Sequence, residues 1–170
     1  MYNAGEVIEL KKGAIFDMDG LLTDSEEVRH QILKEGGRQL GFELSDRLLE
    51  DMTGLNDAEC VEVFRANYPG LDAEGLMQLY RDGMYAASVR GGIPLKPGVA
   101  EYLRFLHENG VKLAVCSATA VHLVKMTLSR LNVLQYFDSI TSCEEAGGMS
   151  KTEPDVFLLA MKRLGAKPEE

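Results

Sequence analysis

The sequence predicts an α/β fold in which a parallel sheet, with helices on both faces, is interrupted by an all-helical insertion. Three observations predict it. Short apolar runs are followed by segments of helical periodicity, this alternation disappears between Ser25 and about Gly92, and a cluster of Gly and Pro marks its return.

The runs expected to be strands are "GAIFD" (13–17), "VKLAVCS" (111–117) and "FDSITS" (137–142), each short, apolar and followed by polar residues. Ahead of the second, "PGVAEYLRFLHENG" places Val99, Leu103 and Leu106 on one helical face and stops at Asn109-Gly110. Behind it, Thr119 can cap a helix whose apolar face is Leu123, Val124, Leu128 and Leu131. Behind the third, Pro154 suits a first helical turn, with Phe157, Met161 and Leu164 facing inward and Gly165 ending the helix. In the insertion, Asn56 and Asp72 are the N-caps expected before "DAECVEVF" and "AEGLMQLY". The expected division is a sheet domain of residues 1–24 and 93–170 with a helical domain of residues 25–92.

Composition excludes several classes of function. At 170 residues and 45% hydrophobic content the chain can bury a core, so disorder is not expected. A formal charge of -9 with no basic cluster disfavours nucleic acid and anionic membrane surfaces as partners. Cys60, Cys116 and Cys143 are far apart and lack metal-ligand spacing, which fits packing roles in a reducing compartment. The acidic start "MYNAGEVIELKKG" has no signal-peptide core and no stretch is long enough to span a membrane, so a cytoplasmic location is expected.

In open parallel sheets ligands collect beyond the carboxyl ends of the strands. The first strand delivers Asp17 and Asp19 there, the second Ser117 and Thr119, and the loop after the third carries Lys151. This set suits phosphoryl transfer, which needs an in-line nucleophile, donors to the non-bridging oxygens and a proton for the leaving group. Asp17 is the candidate nucleophile and Asp19 the candidate acid and base. Ser117, Thr119 and Lys151 are candidate phosphate ligands, and Gly20 would let backbone amides turn towards the anion. Two carboxylates beside a phosphate dianion call for a hard divalent cation such as Mg2+, with Asp17 and the Asp19 carbonyl as candidate ligands and a further carboxylate expected from another strand end.

Each residue also has a plainer reading. An Asp-x-Asp-Gly after a strand can be turn chemistry, Ser117 and Thr119 can cap a helix, and Lys151 alone is a solvated lysine. In the insertion, Arg29, Asn56 and Asp57 are candidate substrate contacts, with capping and surface roles equally open. A phosphoaccepting receiver domain shares the order aspartate, hydroxyl, lysine, but the Asp-x-Asp spacing and the insertion disfavour it.

"FDMDGLLTDSE", "LAVCSAT" with Ser117, and "SKTEPDVFLLAMKRLG" with Lys151 together resemble three motifs of the haloacid dehalogenase superfamily, in the subgroup similar to beta-phosphoglucomutase. The resemblance covers essentially the whole chain. It implies a Rossmann-like core with an inserted helical cap, and a Mg2+-dependent phosphatase acting on a small phosphomonoester, such as a sugar phosphate, through an aspartyl-phosphate. It also implies a fourth motif, an acidic pair on a further strand; the sequence reaches "LGAKPEE" without it, so the core is expected to be C-terminally truncated. A phosphosugar mutase or a non-catalytic module of the same fold is the alternative. Against the mutase, this chain carries Arg29 where mutases of the family have a histidine, Ala120 and Val121 where they have a Lys-Asn pair, and Asp57 where they have an arginine. True dehalogenases lack the second aspartate, which Asp19 supplies here.

Overall fold

The computed structural model describes residues 11–145 and 154–166. They fall into two units: Thr23–Leu95, and the residues up to Leu22 together with those from Lys96 onward. The expected boundaries at 24/25 and 92/93 lie slightly inside this division. The difference arises because Thr23 and Leu95 form an antiparallel bridge and the Asp24 N–H donates to the Pro94 carbonyl at 2.9 Å, so both belong to the helical unit. On the other side of the division, the Lys96 N–H donates to the Leu22 carbonyl at 3.0 Å within the sheet unit.

The sheet unit contains three parallel strands, β1 (Gly13–Phe16), β2 (Lys112–Ser117) and β3 (Ser139–Ser142), with β2 in the middle. Leu113, Ala114, Val115, Cys116 and Ser117 of β2 are all buried, the pattern of a strand covered on both faces. The register sets Phe16 opposite Val115 and Ser117 opposite Ser142, so all three strands end along one rim. Asp138 fixes the start of the β2–β3 pairing. Its carboxylate accepts the Leu113 N–H at 2.9 Å and Lys112 Nζ at 2.8 Å, while its own N–H donates to the Leu113 carbonyl at 2.8 Å. Burial would raise the Asp138 pKa, but the Lys112 ammonium and the Leu113 amide together outweigh it and hold the carboxyl below its usual range.

Helices α5 (Val99–Glu108), α6 (Val121–Arg130) and α7 (Asp155–Leu164) cover this sheet through Leu103 and Leu106, Val124 and Leu128, and Val156 and Ala160. Arg163 ties α7 to β3. It donates to the Ile140 carbonyl at 2.9 Å and grips the Glu145 carboxylate at 2.9 and 3.0 Å, which lowers the Glu145 pKa. Two expectations are corrected. Phe157 is exposed, because Val156 and Ala160 form the buried face of α7 instead. Thr119 is not a cap: Ala120 holds the N-cap position of α6 with no side-chain hydrogen bond, and the Thr119 hydroxyl is engaged elsewhere.

The helical unit consists of α1 (Ser25–Gln39), α2 (Asp46–Asp51), α3 (Asp57–Asn67) and α4 (Ala73–Arg90). It has its own core, in which Leu33, Leu49, Met52, Phe64 and Leu76 are fully buried. Asn56 and Asp72 are N-caps: Asn56 forms a reciprocal capping box with Glu59, and Asp72 Oδ1 accepts the Gly75 N–H at 2.9 Å. Small residues let chain segments approach closely. A Cβ on Gly37 would lie 2.8 Å from Leu44 Cγ and 3.0 Å from the Phe42 carbonyl oxygen, whose residue's N–H donates to the Gly37 carbonyl at 2.9 Å. The three cysteines are free and buried, consistent with packing roles. Among the described residues, no helix is long and apolar enough to cross a membrane.

Gly37→Ala is expected to destabilise the protein by about 1–2 kcal/mol, since overpacking against a fixed carbonyl costs more than the ~1 kcal/mol of helix propensity that alanine returns. Thermal unfolding followed by circular dichroism measures this, and an unchanged or raised Tm contradicts the packing. Asp138→Asn is expected to cost a few tenths to about 1 kcal/mol at pH 7, a value limited by exposure of the Lys112 pair. The folded-state pKa is depressed, so this contribution exists above the ordinary value near 3.8 and is lost as the pH falls through the folded pKa. Urea unfolding at pH 7 and pH 3 checks the sign: the gap between wild type and variant narrows at the lower pH.

Candidate active site

Apolar β1 ends at Phe16, and the next residue, Asp17, is the first polar side chain beyond the strand. Its Oδ1 accepts the N–H of Met18 at 2.8 Å, which orients the carboxylate at the strand end. Met18 is buried and its carbonyl accepts the Leu22 N–H at 3.0 Å, closing a tight turn. Gly20 sits within that turn at a φ of 76°, a left-handed conformation that an L side chain rarely adopts. The turn carries Asp19 back over the end of the neighbouring strand.

There Asp19 meets the residues that terminate β2. Its Oδ2 accepts Thr119 Oγ1 at 2.9 Å and Ser117 Oγ at 3.2 Å. Ser117 is fully buried, and its Oγ also accepts the Thr119 N–H at 3.0 Å. A carboxylate and two hydroxyls, separated by about a hundred residues in sequence, form one hydrogen-bonded cluster beside Asp17. The cluster places a proton acceptor and two hydroxyl donors at the rim where a parallel sheet collects ligands, and Asp17, two residues before Asp19, follows the end of β1.

Lys151 lies outside the described residues. The three candidates in the helical unit make contacts within that unit. Arg29, whose side chain is 11% exposed, directs Nη2 to the Met52 carbonyl and to Cys60 Sγ, both at 3.5 Å, and Nη1 to Glu26 at 3.6 Å. Burial pushes the Cys60 thiol pKa up, and the nearby Arg29 guanidinium only partly offsets it. Asn56 is committed to its capping box, and Asp57 pairs with Arg81 at 2.9 Å.

Among the described residues no three His, Cys, Asp or Glu side chains group as a metal cage. A magnesium ion does not require one, since it keeps several waters and takes one or two carboxylates plus substrate phosphate. The donors at this rim are all hard oxygens, so the Asp17 carboxylate and the Asp19 carbonyl fit it in kind. Thr119, expected among the phosphate ligands, donates its hydroxyl to Asp19, a pairing that the sequence reading did not anticipate. The Ser-x-Thr spacing after β2 was the available signal.

The chain is 32% identical over 157 residues to hexitol phosphatase B of Escherichia coli K12, an alignment that covers 91% of this chain and 70% of that protein. It is 25% identical to the phosphorylated carbohydrates phosphatase of Thermotoga maritima, over 94% of this chain and 73% of that one. The fold superimposes with a TM-score of 0.74 on the crystal structure of a HAD family hydrolase from Deinococcus radiodurans R1 with bound phosphate and sodium, at 23% identity and over 93% of this chain and 69% of that one. A family model for haloacid dehalogenase-like hydrolases matches residues 11–170, a stretch that holds Asp17, Asp19, Ser117 and Thr119. By sequence match, by fold and by the order of its strand-end residues, the chain belongs to the haloacid dehalogenase-like hydrolases.

Proposed function

We propose that the protein is a Mg2+-dependent phosphatase that hydrolyses a small phosphorylated metabolite, a sugar phosphate or a similar phosphomonoester, through an aspartyl-phosphate. The observation that carries this reading is the Asp19 carboxylate, hydrogen-bonded to Ser117 and Thr119 at the rim where Asp17 ends β1. The names of the relatives support the substrate class, since both act on phosphorylated carbohydrates or hexitols by name. The acidic charge supports a small-molecule partner rather than nucleic acid or membrane, and the free buried cysteines support a cytoplasmic location.

In this mechanism an Asp17 carboxylate oxygen attacks phosphorus in line with the ester oxygen; the P–O ester bond breaks and Asp19 gives its proton to the departing alkoxide. In the second half, Asp19 takes a proton from water as that water attacks the phosphorus, and the Asp17–phosphorus bond breaks to release inorganic phosphate. Ser117 donates to a phosphoryl oxygen, and Lys151, which follows β3 in sequence, adds positive charge. Gly20 leaves the turn after Asp17 free of a side chain, so that amides approach the anion. The Asp17 carboxylate and the Asp19 carbonyl would hold a magnesium ion, which when bound would supply charge neutralisation for the phosphate dianion.

Asp17→Asn is expected to lower hydrolysis of p-nitrophenyl phosphate by on the order of 10³-fold or more, because the nucleophile is lost. Acid-quenched wild type exposed to ³²P-labelled substrate is expected to retain label that hydroxylamine releases, as an acyl phosphate does. Full turnover by the Asn variant, or label stable to hydroxylamine, refutes the assignment of Asp17. EDTA is expected to stop turnover and added MgCl2 to restore it; activity that persists in EDTA removes the metal from the mechanism.

A further inference from the structure

We propose that Thr119 is a positioning residue, the side chain that keeps the Asp19 carboxylate at the β2 rim while Ser117 is occupied by the phosphoryl group. The proposal rests on the phosphatase reading and deepens it. Ser117 and Thr119 both donate to the same oxygen, Oδ2 of Asp19, at 3.2 and 2.9 Å. Among the described residues no donor engages Oδ1, which leaves that oxygen to exchange the proton with the leaving group and with water.

A serine hydroxyl carries a single proton and so makes one donor bond at a time. Ser117 cannot donate to a phosphoryl oxygen and to Asp19 together, so substrate binding removes one of the two holds on Oδ2. One of its lone pairs is also in use, since Oγ accepts the Thr119 N–H at 3.0 Å, and that bond persists when the hydroxyl proton turns. The Thr119 hydroxyl makes the shorter bond and belongs to the residue that the Ser117 oxygen already anchors. It therefore remains as the hold on Asp19 during both proton transfers. Its role is to fix the acid and base, which accounts for a threonine two residues beyond the strand where the helix that follows makes no use of it as a cap.

The test compares wild type, Thr119→Val and Thr119→Ser as the full chain with MgCl2, using p-nitrophenyl phosphate and glycerol 1-phosphate. Valine keeps the shape and removes the hydroxyl; serine keeps the hydroxyl. The expected result is a kcat lowered by about tenfold or more in the valine variant with KM within about twofold, and a serine variant within about threefold of wild type. An unchanged kcat in the valine variant, or a raised KM alone, overturns the proposal, the second by making Thr119 a substrate ligand. Crystals of wild type and of the valine variant with inorganic phosphate give a readout that does not depend on turnover. The Asp19 carboxylate is expected at the β2 rim in the first and turned away in the second, and an unmoved carboxylate overturns the proposal. If the wild type hydrolyses neither ester, the phosphatase reading fails, and the phosphate-bound crystals still decide the role of Thr119.

Discussion

The parallel pairing of β1 on β2 is the constraint on which the rest of the sheet unit depends. Pairing Phe16 with Val115 fixes the level at which both chains leave the sheet, and a shift by one residue would turn every side chain beyond it to the opposite face. Burial of β2 on both sides enforces that register, because Leu113, Val115 and Cys116 have no alternative apolar surroundings if the strand slides. The energy that holds the hydroxyls of Ser117 and Thr119 opposite Asp19 is therefore hydrophobic in origin, supplied by residues that take no part in the chemistry. Asp138 and Arg163 add directional bonds at the two ends of the neighbouring pairing, one at the entry to β2 and the other behind the exit of β3.

The polar cluster at the rim depends on this apolar frame. A carboxylate that is only partly exposed requires hydrogen-bond donors, and here they come from the adjacent strand end rather than from its own turn. Asp17, by contrast, is oriented by the amide of the very next residue. The two aspartates are thus supported by different parts of the chain, although only Met18 separates them. In the proposed mechanism, that separation of supports would let one carboxylate act on phosphorus while the other is held for proton transfer.

Much of the fold was legible in the sequence for identifiable reasons. Strand β2 is a short run buried almost throughout, the strongest of the three strand signals, and Asn56 and Asp72 are caps because their side chains reach amides within their own first turn. Local signals of this kind survive folding unchanged. Phe157 was misplaced because two faces of α7 carry apolar residues, and the choice between Val156 with Ala160 and Phe157 with Met161 is made by the sheet beneath, which periodicity alone cannot see. Thr119 was misread for the same physical reason. Its hydroxyl has both a local use, as a helix cap, and a distant one on Asp19, and the tertiary partner takes it.

The candidate residues in the helical unit show the converse case, in which a residue type suited to recognition is used for stability. Arg29 is nearly buried, and a guanidinium withdrawn from water needs acceptors; the Met52 carbonyl, Cys60 and Glu26 provide them within the unit. Asn56 closes a capping box and Asp57 answers Arg81 across two helices. Each of the three makes a contact within the helical unit, so loss of activity in such variants is not by itself a sign of substrate contact. Asp19 differs from them in kind: its two donors come from residues at and just beyond a strand terminus, and neither hydrogen bond caps a helix. A polar cluster whose hydrogen bonds join the ends of two strands, rather than cap a helix, is what distinguishes this candidate site from the contacts within the helical unit.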